Sequence, residues 1–152
     1  MTAEYAPAGI AIAVFDLNGQ RVATPTELTR IIDPDEVVAA EDGQTVSQRV
    51  AALAREIAHA PAIGIRFGKF TDGRSYSVAA RLRESGFTGE LHALGEINQE
   101  VVFLLRRVGF THFHIPDPGH RELPDIILTP FGGHYQAGSD GSRAPWQTLL
   151  AA

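Results

Sequence analysis

A helix ending written twice constrains this chain most. Leu82-Arg83 leading to Gly86-Phe87-Thr88 recurs 23 residues later as Leu105-Arg106 leading to Gly109-Phe110-Thr111. In each copy the glycine can take the left-handed backbone conformation after the last helical turn, where a side chain would be strained. The phenylalanine then falls where a Schellman ending sets an apolar residue against the helix, pairing Phe87 with Leu82 and Phe110 with Leu105. A strand follows each ending, over residues 90–94 and 111–115. Repeated helix, cap and strand commit the chain to βα units, and short links imply parallel strands joined by right-handed crossovers.

Other segments fit the same frame. Residues 10–17 are apolar without helical spacing and run into Asn18-Gly19, a strand and tight turn. Thr45 and Gln48 have capping-box spacing, and Val46, Val50, Leu53, Ala54 and Ile57 recur on one helical face until Pro61. Residues 63–67 form a short buried strand, and after the loop that follows Ser75 is the expected N-cap of the next helix. Between the two glycine endings a helix spans 97–108 with the stripe Ile97, Val101, Leu104, Leu105 and Val108. Val102 and Phe103 lie off that stripe and need a second cover, which the chain's own C-terminal segment supplies more readily than a partner subunit. Residues 24–40, broken by Pro25 and Pro34, leave room for one short helix over 26–32.

The expected fold is a single α/β domain over 1–152, with a βα core over 9–115. At least four strands are parallel, in a sheet that is open or curved like part of a barrel. Beyond the core, 116–152 read as an irregular arm. Five prolines and five glycines fall in the thirty residues from Pro116 to Pro145, which disfavours regular structure apart from a strand at 125–129.

Composition narrows the function classes. Thirteen Lys and Arg against eighteen Asp and Glu give a net charge of −5, which argues against a dedicated nucleic-acid binder. The absence of cysteine removes disulfides, thiol catalysis and thiolate-held clusters from this chain. No apolar run reaches the roughly 18 residues of a membrane-spanning helix. The first eight residues carry Glu4 but no Lys or Arg, unlike a secretory signal. The expectation is a soluble cytoplasmic protein without a membrane partner.

The loop from Gly68 to Ser77 is the leading site candidate. It follows a parallel strand and opens a helix, the position where α/β sheets bind ligands. Helix-start N–H groups, Lys69 and Arg74 suit a small anion, with Thr71, Gly73, Ser75 and Ser77 as further donors. The opposing reading has Asp72 and Arg74 fixing the loop while Lys69 is solvated. Glu96 ends the neighbouring strand, either as an acid or base beside Asp72 or as a favourable charge at its own helix start. Neither a phosphate-binding loop nor a dinucleotide fingerprint occurs, so no cofactor is identified. Ser75 and Ser77 lie in no nucleophile elbow, and Tyr76 reads as a core residue.

His112 and His114 alternate on one strand and so share a face. His-x-His is a metal-ligand spacing that Asp117 or His134 would have to complete. The opposing reading is a solvated face with two ordinary imidazoles, and no metal site is assigned. His59, His92 and His120 show no partner in the sequence.

The run Lys69-Phe70-Thr71-Asp72-Gly73-Arg74-Ser75-Tyr76-Ser77, with Gly89-Glu90-Leu91, Gly95 and Gly109-Phe110, resembles the bacterial domain-of-unknown-function 934 family. Members of that family are often encoded beside the sulfite reductase haemoprotein and described as oxidoreductases of sulfite reduction. The resemblance covers 63–115 well and 131–136 loosely. His92 replaces the family's usual Arg, Glu96 an Asp, Val101 a Gln and Val108 a Cys, so no thiol mechanism carries over. The resemblance implies an accessory role in sulfite reduction or sulfate assimilation. That role would be docking to the reductase haemoprotein or binding a small sulfur oxyanion at the Lys69–Arg74 loop. Two other classes compete with it. One is an independent small α/β enzyme acting on an anionic substrate, with Asp72 and Glu96 as its acid–base pair. The other is an assembly module or homodimer built on Val102, Phe103 and the proline-rich arm.

Overall fold

The computed structural model describes residues 9–38, 43–69 and 72–130. The chain runs through β1 (Ile12–Phe15), β2 (Arg21–Val22), β3 (Arg30–Ile32), α1 (Asp35–Val38), α2 (Val46–Glu56) and β4 (Ala62–Phe67). It continues through α3 (Gly73–Glu84), β5 (Glu90–Gly95), α4 (Val102–Arg107), β6 (His112–Pro116) and α5 (Asp125–Leu128). The six strands form one open sheet in the order β2-β1-β6-β5-β4-β3. Strands β3, β4, β5 and β6 are parallel, whereas β1 is antiparallel to both of its neighbours.

The expectation of four parallel strands therefore holds, but with different members. The strand expected at 10–17 runs antiparallel, and the fourth parallel strand is β3, where a helix over 26–32 was expected. A lone helix that short cannot offset its own nucleation cost. Arg30, Ile31 and Ile32 instead pair in register with Ile63, Gly64 and Ile65, and Ile32 is buried in the core.

Both glycine endings form as the sequence predicts. Phe87 N–H donates to the Leu82 carbonyl at 3.1 Å and Gly86 N–H to that of Arg83 at 3.0 Å, with φ +98° at the glycine. Phe110 and Gly109 repeat the pattern on Leu105 and Arg106, with φ +104°. The capping box on α2 is also present: Thr45 Oγ1 accepts from Gln48 N–H while the Gln48 side chain accepts from Thr45 N–H.

Strands β3 to β6 are added in chain order, so right-handed crossovers place their connecting helices on one face of the sheet. There Ile63, Ile65, Phe67, Leu91, Ala93, Phe113 and Ile115 meet Val50, Leu53 and Ile57 of the α2 segment, Val78 and Leu82 of α3, and Val102 and Leu105 of α4. Every α-helix among the described residues contributes buried apolar residues to this cluster. Among the described residues the opposite face holds a smaller apolar cluster, Leu28 on Leu94 with Ile31 and Ala62 against it.

Two details of the C-terminal half differ from expectation. The helix over 97–108 opens with a 3-10 turn at Gln99–Val101, whose three residues per turn shift the phase of the stripe. Val102 is therefore buried and Leu104 is 42% exposed. The segment 125–129 is not a strand but contains α5, which packs on α4 and accepts a hydrogen bond from Arg106 at the Leu128 carbonyl, 2.9 Å. The second cover for α4 thus comes from this chain. Leu123 and Leu128 join the core, and residues 131–152 lie outside the described residues. Among the described residues no helix is long and apolar enough to cross a membrane.

Candidate functional site

At the C-terminal ends of the parallel strands, β4 passes through Gly68 and Lys69 toward α3. The N-cap of α3 is Asp72 rather than Ser75: the Asp72 carboxylate accepts the Arg74 N–H at 3.1 Å. Asp and Ser are comparable caps, and the contest is settled by burial. Ser75 is inside the protein and donates its hydroxyl hydrogen to the Arg66 carbonyl at 2.8 Å, tying α3 to β4.

Arg74 does not stand free. Its Nε and Nη2 reach the two oxygens of Asp72 at 3.0 and 2.9 Å, and its Nη1 pairs with Asp35 of α1. The bidentate guanidinium holds the Asp72 carboxyl below its usual range, and the two carboxylates hold the Arg74 guanidinium protonated. Lys69 is exposed at the mouth of a hollow of about 400 Å³ lined by Gly68, Lys69, Asp72 and Arg74. Gly73 begins α3 and Ser77 sits one turn on, both exposed. Ser77 faces a separate hollow of about 500 Å³ that includes Val38, Val46 and Arg81. Glu96 is exposed beyond the end of β5, and its N–H donates to the Phe67 carbonyl at 3.0 Å. The structure thus gathers Lys69, Asp72 and Arg74 around one hollow and Gly73, Arg74 and Ser77 around the next, turns Ser75 inward, and joins Glu96 to the end of β4 through its backbone. Thr71 lies outside the described residues. Tyr76 is a half-buried neighbour of Phe67, ring edge to ring face at 5.1 Å.

At the opposite ends of β5 and β6, five polar side chains gather, from two stretches of sequence about twenty residues apart. Parallel pairing sets His92 beside His112, and their rings stack 4.3 Å apart with planes within 10°. His92 Nδ1 meets His114 Nε2 at 2.8 Å, and His92 Nε2 meets the Glu90 carboxylate at 3.0 Å. Thr111 Oγ1 holds His112 Nδ1 at 2.8 Å. His92 and His114 are almost wholly buried, at 1% and 2% exposure. Burial lowers the His92 pKa to about 4 despite the opposing pull of Glu90. It lowers that of His114 to about 3, with the His92 and His112 rings adding to the effect.

His112 and His114 therefore do share a face, but His114 is buried behind His92. Asp117, offered as a possible further ligand, sits at the far end of β6 and pairs with Arg21. His134 lies outside the described residues. His92, which shows no partner in the sequence, is the centre of the group. Its only sequence signal is the alternation Glu90-x-His92, and that becomes meaningful once the register with β6 is known.

No curated protein and no solved structure matches the chain. The family profile described as bacterial protein of unknown function (DUF934) matches residues 44–146, a span that includes α2 through β6 and both groups of polar residues. The chain belongs to this DUF934 family of bacterial proteins.

Proposed function

We propose that this protein is a cytoplasmic accessory protein of sulfite reduction that docks to the reductase haemoprotein through the crest formed by Lys69, Asp72, Arg74 and Glu96. The link to sulfite reduction comes from the family resemblance, and docking is favoured by the charge arrangement at the crest. Arg74 is already neutralised by Asp72 and Asp35, and Asp72 occupies the helix start where an oxyanion would sit. Around the hollow Lys69 and Arg74 are offset by the carboxylates of Asp72 and Asp35, which disfavours capture of a doubly charged anion from water. Exposed charges of both signs suit steering and register on a protein partner. Asp72, committed to Arg74, is also a weak base, so the same geometry favours docking over turnover.

The test is binding of purified protein to the reductase haemoprotein by calorimetry at low and high salt. A salt-sensitive complex weakened at least tenfold by Lys69→Glu supports the proposal. A second titration follows the backbone amides of Lys69 and its neighbours by NMR with sulfite, sulfate and phosphate. Saturable shifts there, with no complex at tens of micromolar reductase, would replace docking by an oxyanion site on the exposed Lys69.

A further inference from the structure

The group at the other end of β5 and β6 carries a separate inference. We infer that Glu90, His92 and His112 form a binding site for a divalent transition-metal ion, with zinc as its probe. The donor atoms of the three residues lie within 4.8 Å of one another, and two imidazoles with one carboxylate make a donor set suited to zinc. A tetrahedral ion with bonds of about 2.1 Å spaces its donors by about 3.4 Å. Glu90 and His92 already stand at 3.0 Å, so the remaining closure falls to His112. The two rings lie in nearly parallel planes, so His112 tilts toward the ion. Its half-buried setting and the exposed Glu90 leave room for that movement.

The surroundings fit ligands more closely than a solvated face. Metal-bound histidines characteristically engage their other ring nitrogen in a hydrogen bond that fixes tautomer and direction. His92 has His114 at Nδ1, and His112 has Thr111 at Nδ1, which leaves Nε2 of each as the ligand atom. Because a carboxylate only accepts, His92 Nε2 carries the hydrogen in the metal-free protein and its Nδ1 accepts from His114 Nε2. Loading reverses this: His92 donates from Nδ1, and His114 takes its hydrogen at the other nitrogen, with no net proton change in the pair. Three protein donors leave a fourth position, which opens beside the exposed Glu90. That is the arrangement of zinc centres that hold a water or substrate, not of closed structural ones.

The experiment uses tag-free full-length protein stripped with chelator and titrated calorimetrically with zinc chloride. Cobalt(II) spectra and long-range proton–nitrogen spectra of the imidazoles complete it. One equivalent bound in the micromolar range or tighter is expected, with intense tetrahedral cobalt bands and the tautomer reversal at His92 and His114. His112→Ala and Glu90→Gln, both on the exposed side, are expected to keep the fold and weaken binding at least tenfold and several-fold respectively. Absence of binding below 100 micromolar zinc would overturn the site, as would binding that neither variant changes, since the ion would then sit on other histidines.

Discussion

The two ends of the parallel strands satisfy their polar groups in opposite ways. At the C-terminal crest the partners are full charges: exposed Arg74 is shared by the half-buried Asp72 and the exposed Asp35, and the helix start is filled by its own N-cap. At the N-terminal end the partners are imidazole rings, two of them buried, linked through single nitrogens to a carboxylate and a hydroxyl. Ion pairs in water hold shape but contribute little energy. Buried imidazoles depend on staying neutral, so they make stability sensitive to protons. The crest is thus built to present charge, whereas the histidine end keeps His92 and His114 uncharged in the metal-free protein.

Four measurements break or sharpen this contrast. The largest effect is expected where the backbone itself joins the ends of β4 and β5. Gly95 has φ +101°, and a Cβ there would lie 2.3 Å from the Phe67 carbonyl oxygen. Gly95→Ala should cost about 3–4 kcal/mol in urea unfolding, and a loss under about 1 kcal/mol would mean that the crest rests on side chains alone.

Acid comes next. In chelator-treated protein, His92 and His114 stay neutral when folded down to about pH 4 and 3, whereas unfolded histidines take up protons from about pH 6.5 downward. The unfolded state therefore binds more protons in that window. Stability should be full above pH 6.5 and fall by about 2–3 kcal/mol by pH 5.5, with a slope approaching two protons. A flat profile between pH 7.5 and 5.5 would show that the pair is not excluded from water.

A smaller loss is expected at the crest. Asp72→Ala removes both the cap and the bidentate partner of Arg74 and should cost about 1–2 kcal/mol. Most of that loss should persist in high salt, because the cap hydrogen bond is screened less than the ion pair. Last, Lys69→Ala should leave unfolding within about 0.5 kcal/mol of the parent. A larger change would place Lys69 in the framework of the crest and remove it from the docking surface.

Local signals in the sequence carry the elements, and non-local ones carry the sites. The capping box at Thr45 and the endings at Gly86 and Gly109 are legible because each is closed within a few residues. Strand β3 is not, because three residues have no period and their pairing partner lies about thirty positions away. Short segment 125–129 fails for the same reason. The histidine group is hidden by register. The sequence repeats every 23 residues, yet the strands pair His92 with His112, three positions out of step with that repeat. The first unit spends extra residues between its cap and the paired position. At the crest, the sequence rightly marks Asp72 and Arg74 as neighbours, and either reading of them stays open until Asp35 is seen to close on Arg74.

An open sheet has two borders, and unpaired backbone along a border is a template for a stray chain. Here the borders are β2 and β3, two and three residues long, each bearing an arginine held by carboxylates: Arg21 by Asp117, and Arg30 by Glu36 and Glu56. Beside β2 the chain doubles back, so that Arg21 N–H donates to the Arg121 carbonyl and Gln20 bridges Glu122. Short, charged and partly covered margins are the features by which an unclosed sheet discourages edge-to-edge pairing, and both borders of this sheet carry them.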